Sequence, residues 1–183
     1  MFDLAPEADE RCTKIAELPR GRLGPLDEIE TMNVEIQTAQ VEDAAAILAL
    51  QKLAYRSEGE LYQDWSIPPL VQTPEEICTE FRGKIFVKVE RGGEIIGSVR
   101  AEQSGETCAI GRVIVHPSCQ RQGIGSCLMQ AIEARFPSAR RYELFTGEKS
   151  TGNIRLYERL RYRIFRRERL SERVTLVFME KKL

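Results

Sequence analysis

Val113-Ile114-Val115-His116-Pro117-Ser118-Cys119-Gln120-Arg121-Gln122-Gly123-Ile124-Gly125 passes from an apolar run into a polar turn that holds two glycines. The run 110–116 reads as a strand and 126–136 as a helix. A strand, a short glycine-containing turn and a helix start together make an anion site. The first helical N–H groups have no partner within the helix, and the aligned peptide dipoles add partial positive charge there. Gly123 and Gly125 lack a Cβ, so a diphosphate can come close to the backbone. Gln120 and Gln122 can donate hydrogen bonds, and Arg121 supplies charge. On spacing alone a plain tight turn fits as well. The third glycine of a dinucleotide fingerprint is missing, as is the Lys-Ser/Thr of a Walker-type phosphate loop.

Outward from this stretch the chain divides near Met32. Residues 1–31 carry Pro6, Pro19, Gly21, Gly24 and Pro25 among charges with no sustained period, a linker-like composition. We therefore divide the chain into an N-terminal extension, 1–32, and one domain, 33–183. Met32 directly precedes the first strand, so it reads either as a second start or as the end of a genuine extension. Val34 and Ile36 alternate with polar neighbours as in a strand. An Ala-rich helix follows, with Ile47, Leu50 and Ala54 on one stripe and Glu42 and Asp43 in its first turn, where negative charge suits the dipole. A loop is expected over 57–72, then a helix over 74–82 with Thr73 as N-cap. Ile85, Val87 and Val89 mark a strand, Arg91-Gly92-Gly93-Glu94 a hairpin turn, and 96–102 the return strand. Ser104-Gly105-Glu106 turns into the central strand. A fifth strand is expected over 142–146 and a helix over 153–160. A closing hairpin joins 164–170 to 174–180. The order β-α-α-β-β-β-α-β-α-β-β describes an α/β (α+β) domain: a mixed, mostly antiparallel sheet flanked by helices. No internal repeat is visible.

The bulk properties suit a small enzyme of one domain. The chain has 183 residues, enough to bury a working core. Its 27 basic and 28 acidic residues leave a formal charge of −1, so no global field favours nucleic acid or membrane. No apolar run has the length of a bilayer span, and the N-terminus is acidic where a signal peptide is basic. The five cysteines are odd in number and scattered, which reads as reduced thiols in a cytoplasmic protein. A single His excludes a multi-histidine metal site, and no metal is expected. Cys119 near His116 reads as a turn residue beside the pocket, or as a nucleophile that lacks a third, orienting residue.

Val113-Ile114-Val115-His116-Pro117, Gln120-Arg121-Gln122-Gly123-Ile124-Gly125 and the helical Leu128-Met129 resemble the acyl-CoA-binding segment of the GNAT acyltransferase superfamily. Further on, Asn153-Ile154-Arg155-Leu156-Tyr157-Glu158-Arg159-Leu160-Arg161-Tyr162 is similar to that family's second cofactor segment. Order and separation agree, and the resemblance covers residues 33–183. It implies a GNAT-like sheet whose central strand splays from the next one. Acetyl-CoA would fill the gap as cosubstrate. Val113, Ile114 and Val115 would lie beside the pantetheine arm, and N–H groups near Val113 and Ile114 would polarise the thioester carbonyl. Gln120, Arg121, Gln122, Gly123, Ile124, Gly125 and Ser126 would hold the diphosphate. Tyr157 would protonate the leaving thiolate; alternatively it packs, with Ile154 and Leu160, against the sheet. Asn153 is a pantetheine contact or a helix-start residue, and Ser150 can take its place. Arg161 stands where the family usually has Gly, so the turn there is expected to be built differently.

Some relatives carry a Glu base on the central strand. Here Ala109 and Gly111 stand at the corresponding place, so that base is absent. Glu58, Glu60 and Asp64 of the 57–72 loop are the replacement candidates, with Tyr62, Trp65, Ile67 and Pro68-Pro69 as apolar walls. The same charges also fit a merely solvated loop. If they face the pocket, they favour a cationic amine. The resemblance implies acyl transfer, most simply acetyl, to a primary amine on a small molecule or peptide, by direct attack in a ternary complex. It also allows a homodimer. The other readings are a non-catalytic acyl-CoA-binding regulatory module and a cysteine hydrolase built on Cys119 and His116.

Overall fold

The structure, a computed structural model, describes residues 34–183. The extension 1–32 and the question of Met32 lie outside the described residues. Thirteen helices and strands follow one another among the described residues: β1 (Glu35–Thr38), α1 (Ala44–Ala54), α2 (Arg56–Tyr62), α3 (Pro68–Val71), α4 (Pro74–Glu80), β2 (Ile85–Arg91), β3 (Glu94–Ser104), β4 (Thr107–Val115), α5 (Ile124–Glu133), β5 (Arg141–Gly147), α6 (Thr151–Arg159), β6 (Arg163–Arg169) and β7 (Thr175–Lys182), with 3-10 turns at Val41–Asp43, entering α1, and at Pro117–Cys119. The sheet order is β1-β2-β3-β4-β5-β7-β6. Every pair is antiparallel except β4–β5. This is the mixed, mostly antiparallel sheet that the sequence pattern implies.

Local chemistry explains the elements. Gly92 and Gly93 both take positive φ, 59° and 82°, as the tight β2–β3 hairpin turn requires. Thr73 and Glu76 exchange hydrogen bonds in a capping box, with Pro74 opening α4. Glu42 and Asp43 fall in the 3-10 turn ahead of α1, where Asp43 pairs with Lys88 of β2 at 2.8 Å.

Period-two alternation gives the sheet two apolar faces. On one face, α1 buries Ile47, Leu48 and Leu50 with Phe86, Ile77 and Ile114. On the other, α5 buries Leu128, Met129 and Ile132 with Val87, Val89, Val99 and Ala101. No described helix is long and apolar enough to cross a membrane.

The stretch 57–72 is not the loop expected from its composition. Most of it is helix, α2 and α3. Gly59 lies inside α2. A Cβ there would meet Leu70 at 3.0 Å and Trp65 at 3.1 Å. The glycine serves close packing of α2 on the segment that follows it. Gln63, at φ 51°, ends α2, and the Pro68-Pro69 pair starts α3.

Two irregularities of β4 create the site. Pairing with β5 covers only Thr107–Ala109 against Arg141–Glu143. Beyond those rungs the two strands diverge. A bulge then shifts the β3–β4 register between Ser98 and Arg100, opposite Arg112 at φ 54°. Cys108 and Ile110 belong to the α5-side core, but Ile114 belongs to the α1-side core. One inserted residue has exchanged the faces.

Candidate functional site

The split between β4 and β5 is bounded below by the β4–α5 connection. The His116 N–H bonds the Ile96 carbonyl at 2.8 Å, and Ile114 lies opposite Ser98 with its carbonyl toward Gly97. Backbone groups alternate sides along a strand, so those of Val113 and Val115 face the split. The N–H expected to polarise a carbonyl there is therefore that of Val113; Ile114 gives its own groups to β3. Arg121 and Gly123 both take positive φ, 62° and 82°, folding the turn back under the helix. Gly123 is the N-cap of α5 and no side chain caps it. Its carbonyl takes the N–H groups of Ser126 and Cys127 at 2.9 and 3.1 Å. The N–H groups of Ile124 and Gly125 precede those bonds and point out of the helix start.

The turn uses its amide side chains internally. Gln120 donates to the Val115 carbonyl at 3.4 Å. Gln122 accepts from Arg91 at 3.0 Å and donates to the Ser118 carbonyl at 3.3 Å. Arg121 is exposed. Gly125 has a further task, since a Cβ there would meet Leu156 at 3.1 Å, so it lets α5 touch α6. His116 engages the Ser118 hydroxyl at 2.8 Å, while the buried Cys119 sulfur lies 3.8 Å from Arg91. The same Ser118 hydroxyl lies 3.6 Å from the Cys119 sulfur, so it stands between ring and thiol.

Tyr157 of α6 is buried in the α5-side core, 6.2 Å from the Tyr162 ring. α6 ends in a Schellman turn. The Tyr162 N–H bonds the Tyr157 carbonyl and the Arg161 N–H bonds that of Glu158, each at 3.0 Å. Arg161 itself stands at φ 70°. The left-handed cap is thus built with Arg, correcting the expectation of a different turn. Burial pushes the Tyr157 phenol well above its ordinary range, and Tyr55 and Glu58 push it further. Tyr55 packs against the α1-side core and Tyr157 lies in the α5-side core.

The three acidic candidates separate. Glu58 accepts from the Ser150 hydroxyl at 2.5 Å and from the Asn153 amide at 3.5 Å. Asn153 also reaches Thr146 at 3.4 Å. Asp64 takes the Ser66 hydroxyl and N–H at 2.6 and 2.9 Å, and these bonds hold its carboxyl below the ordinary value. Glu60 is exposed on α2. Tyr62, read from sequence as an apolar wall, is a buried polar anchor whose hydroxyl accepts the Lys149 N–H at 2.7 Å. Trp65 is exposed, Ile67 half-buried, and the Pro69 carbonyl accepts from Gln51 at 2.9 Å.

Sequence reasoning passed over Tyr55, Arg100 and Arg112. Tyr55 links α1 to α2, and the Arg112 guanidinium carbon lies 5.8 Å from its ring centre. Arg100 is buried on β3 and binds Glu80 at 2.7 Å, Gln72 at 3.3 Å and Gln51 at 3.4 Å. The available signal was charge placed inside strand patterns, Val99-Arg100-Ala101 and Gly111-Arg112-Val113.

Residues 46–162, from α1 through Tyr162, match the acetyltransferase (GNAT) family. A curated relative, the UPF0157 protein YqkA of Bacillus subtilis (strain 168), is 30% identical over 122 residues, 67% of this chain and 35% of that protein. The chain therefore spans about a third of the length of the curated relative it matches. An N-acetyltransferase from Staphylococcus aureus Mu50 superposes with a TM-score of 0.67 at 21% identity, over 82% of this chain and 98% of that one. YncA of Salmonella typhimurium, a putative acetyltransferase solved with its cofactor acetyl-CoA, superposes with a TM-score of 0.66 at 19% identity, over 82% and 94%. With the family match covering well over half its length, the chain belongs to the acetyltransferase (GNAT) family.

Proposed function

We propose that this chain is an N-acyltransferase that moves the acetyl group of acetyl-CoA to a primary amine by direct attack in a ternary complex. One observation carries the reading. The β4–β5 split has an uncapped helix N-terminus at one end, and beside it Glu58 of α2 bonds Ser150 and Asn153 at the start of α6, the helix that carries Tyr157. The amides of Ile124 and Gly125, without partners inside the helix, the left-handed Gly123 and the cation of Arg121 fit a diphosphate. Val113 and Val115 would run beside the pantetheine arm, with Asn153 and Ser150 further along it. The Salmonella neighbour, of the same fold, holds acetyl-CoA. When bound, acetyl-CoA supplies a thioester that is electrophilic at its carbonyl carbon.

The chain's own groups handle the protons. An unperturbed alkylamine costs roughly 4–5 kcal/mol to deprotonate at neutral pH. Glu58 is positioned to take that proton, so the nitrogen lone pair is free to attack the carbonyl carbon. The Val113 N–H stabilises charge on the carbonyl oxygen. As the C–N bond forms and the C–S bond breaks, Tyr157 gives its proton to the departing sulfur and is restored by the second proton of the amine, while Glu58 releases the first to solvent. The sum is one amide, one free thiol and one proton released.

A screen of primary amines against acetyl-CoA, read by release of free CoA, tests the proposal. Acceptor-dependent CoA release with formation of the N-acetyl product supports it. CoA binding without turnover on any amine favours a binding module and overturns it.

A further inference from the structure

The charge around the acceptor side of the split does not balance. Arg100 is matched by Glu80 at 2.7 Å. Asp64 is spent on Ser66, and Glu60 faces solvent. Glu58 is held by Ser150 and Asn153. Arg112 has no carboxylate within ion-pair reach among the described residues, and its Nε is buried without a hydrogen-bond partner. Arg112 is half-buried, and the planar fork of its guanidinium suits a carboxylate.

The backbone sharpens the point. Arg112 stands at φ 54° in the bulge, a conformation that glycine adopts freely and arginine only under strain. The position therefore holds its side chain against the local backbone preference, and such strain gathers at ligand sites. The guanidinium lies against the Tyr55 ring. Tyr55 and Glu58 are three residues apart through the helical turn closed by the Gly59 N–H on the Tyr55 carbonyl at 3.0 Å. Residues at that spacing share a face. Tyr55 is thus flanked by Arg112, which has no carboxylate partner among the described residues, on one side and by the candidate base on the other.

We propose that Arg112 is the carboxylate-recognising residue of the acceptor site, and that the acceptor carries a primary amine and a carboxylate close together, in the simplest case an α-amino acid. The amine faces Glu58 and the carboxylate pairs with Arg112. This inference rests on the acyl-transfer reading and narrows its acceptor from amines in general to amino acids. It also replaces the cationic amine suggested by the acidity of 57–72, because of those three acids only Glu58 has contacts that bring it to the site.

The test uses matched acceptors built on leucine, phenylalanine and methionine side chains: the L-amino acid, its amide and its decarboxylated amine. Each is assayed by free-CoA release with wild type, Arg112→Gly and Arg112→Lys. Amine basicity belongs to the acceptor, so the informative quantity is each acceptor's change from wild type to variant. Arg112→Gly should lower kcat/KM for the acids by roughly tenfold to a hundredfold, the loss expected for a charge-assisted pair. Amides and amines should change by less than about twofold on the same argument. Arg112→Lys should recover part of the loss for the acids. Glycine suits the backbone at this position, and a thermal melt of each variant confirms folding.

Calorimetric titration of the same acids into the CoA complex reads recognition without turnover. Acids that bind wild type but not Arg112→Gly, with no acetylation of any amine, support the carboxylate site and overturn the acyl-transfer reading. Turnover of amines and amides with no advantage for the acids overturns the carboxylate site and leaves acyl transfer standing. Equal losses for acids, amides and amines in Arg112→Gly also overturn it, since a merely structural residue behaves that way.

Discussion

Burial raises the Tyr157 phenol first, and Tyr55 and Glu58 raise it further, so the proton is in place at neutral pH. Tyr157→Phe keeps the ring on Tyr162 and removes the only transferable proton. Positioned acid–base groups contribute about 10²–10⁴-fold in rate, so kcat should fall by that order with little change in melting temperature or CoA affinity. A well-folded Phe variant with near-wild-type kcat, where chemistry limits the rate, removes Tyr157 from the mechanism. Glu58→Gln makes a complementary prediction. Without the base, only the fraction of acceptor already neutral can react, so kcat/KM at pH 7 should fall about 10²-fold. It should then climb tenfold per pH unit up to the pKa of the acceptor amine. A pH–rate profile parallel to that of wild type would contradict the role. Tyr157 is legible in sequence because the Leu-Tyr-x-x-Leu frame survives intact. Arg112 is not, because a bulge adds one residue to an otherwise strand-like run and the face a residue occupies beyond it cannot be read from period two alone.

Elements differ in how openly the sequence declares them. The strands and α5 follow their apolar periods, and α4 follows its Thr73–Glu76 capping box. α2 was hidden because Gly59 looks like punctuation, while its real task is contact with Trp65 and Leu70 across the turn. That contact depends on residues brought together by the fold, and local propensity does not carry it. The end of α6 shows the opposite case. Arg161 looked incompatible with a left-handed cap, yet the cap forms, because the Schellman hydrogen bonds and the Tyr157–Tyr162 packing outweigh a strained residue. A left-handed conformation costs a non-glycine residue roughly 1–2 kcal/mol. Arg161→Gly should therefore stabilise the protein by about 1 kcal/mol, after the added chain entropy of glycine in the unfolded state is subtracted. In a chain of this length that is a rise of about 2–4 °C in melting temperature. An unchanged or lower melting point would mean that the Arg161 side chain contributes more than its backbone strain costs.

On the scale of the molecule, the sheet consists of two arms, β1–β4 and β5–β7, held at one end by three paired residues on each strand and open at the other. The succession of strands and helices along the chain was legible from periodicity, and the opening was implied by family resemblance. What crosses the opening was not legible, because it joins residues far apart in the chain. α2 is that crossing: Glu58 reaches Ser150 and Asn153, and Tyr62 takes the Lys149 N–H. The latch depends on Gly147 at the end of β5. A Cβ there would overlap the Tyr62 hydroxyl, with the ring carbon Cζ next in line. Tyr62 is buried and pinned by that hydroxyl, so it has little room to yield. Gly147→Ala should push Tyr62 off β5 and destabilise the fold by about 1–3 kcal/mol, the usual cost of overpacking. Glu58 is one helical turn before Tyr62 and should move with it, so acceptor kcat/KM should fall more than the stability loss alone explains. The helix start at Gly123 lies on another element, and CoA affinity should stay within about twofold, as for sites that share no partners. Adding Tyr62→Phe removes the atom nearest the new methyl and should recover part of the acceptor kinetics, a coupling that a double-mutant cycle measures. Equal losses in CoA affinity and acceptor turnover, with no recovery in the double variant, would show that α2 holds the whole fold and does not act on the acceptor side alone.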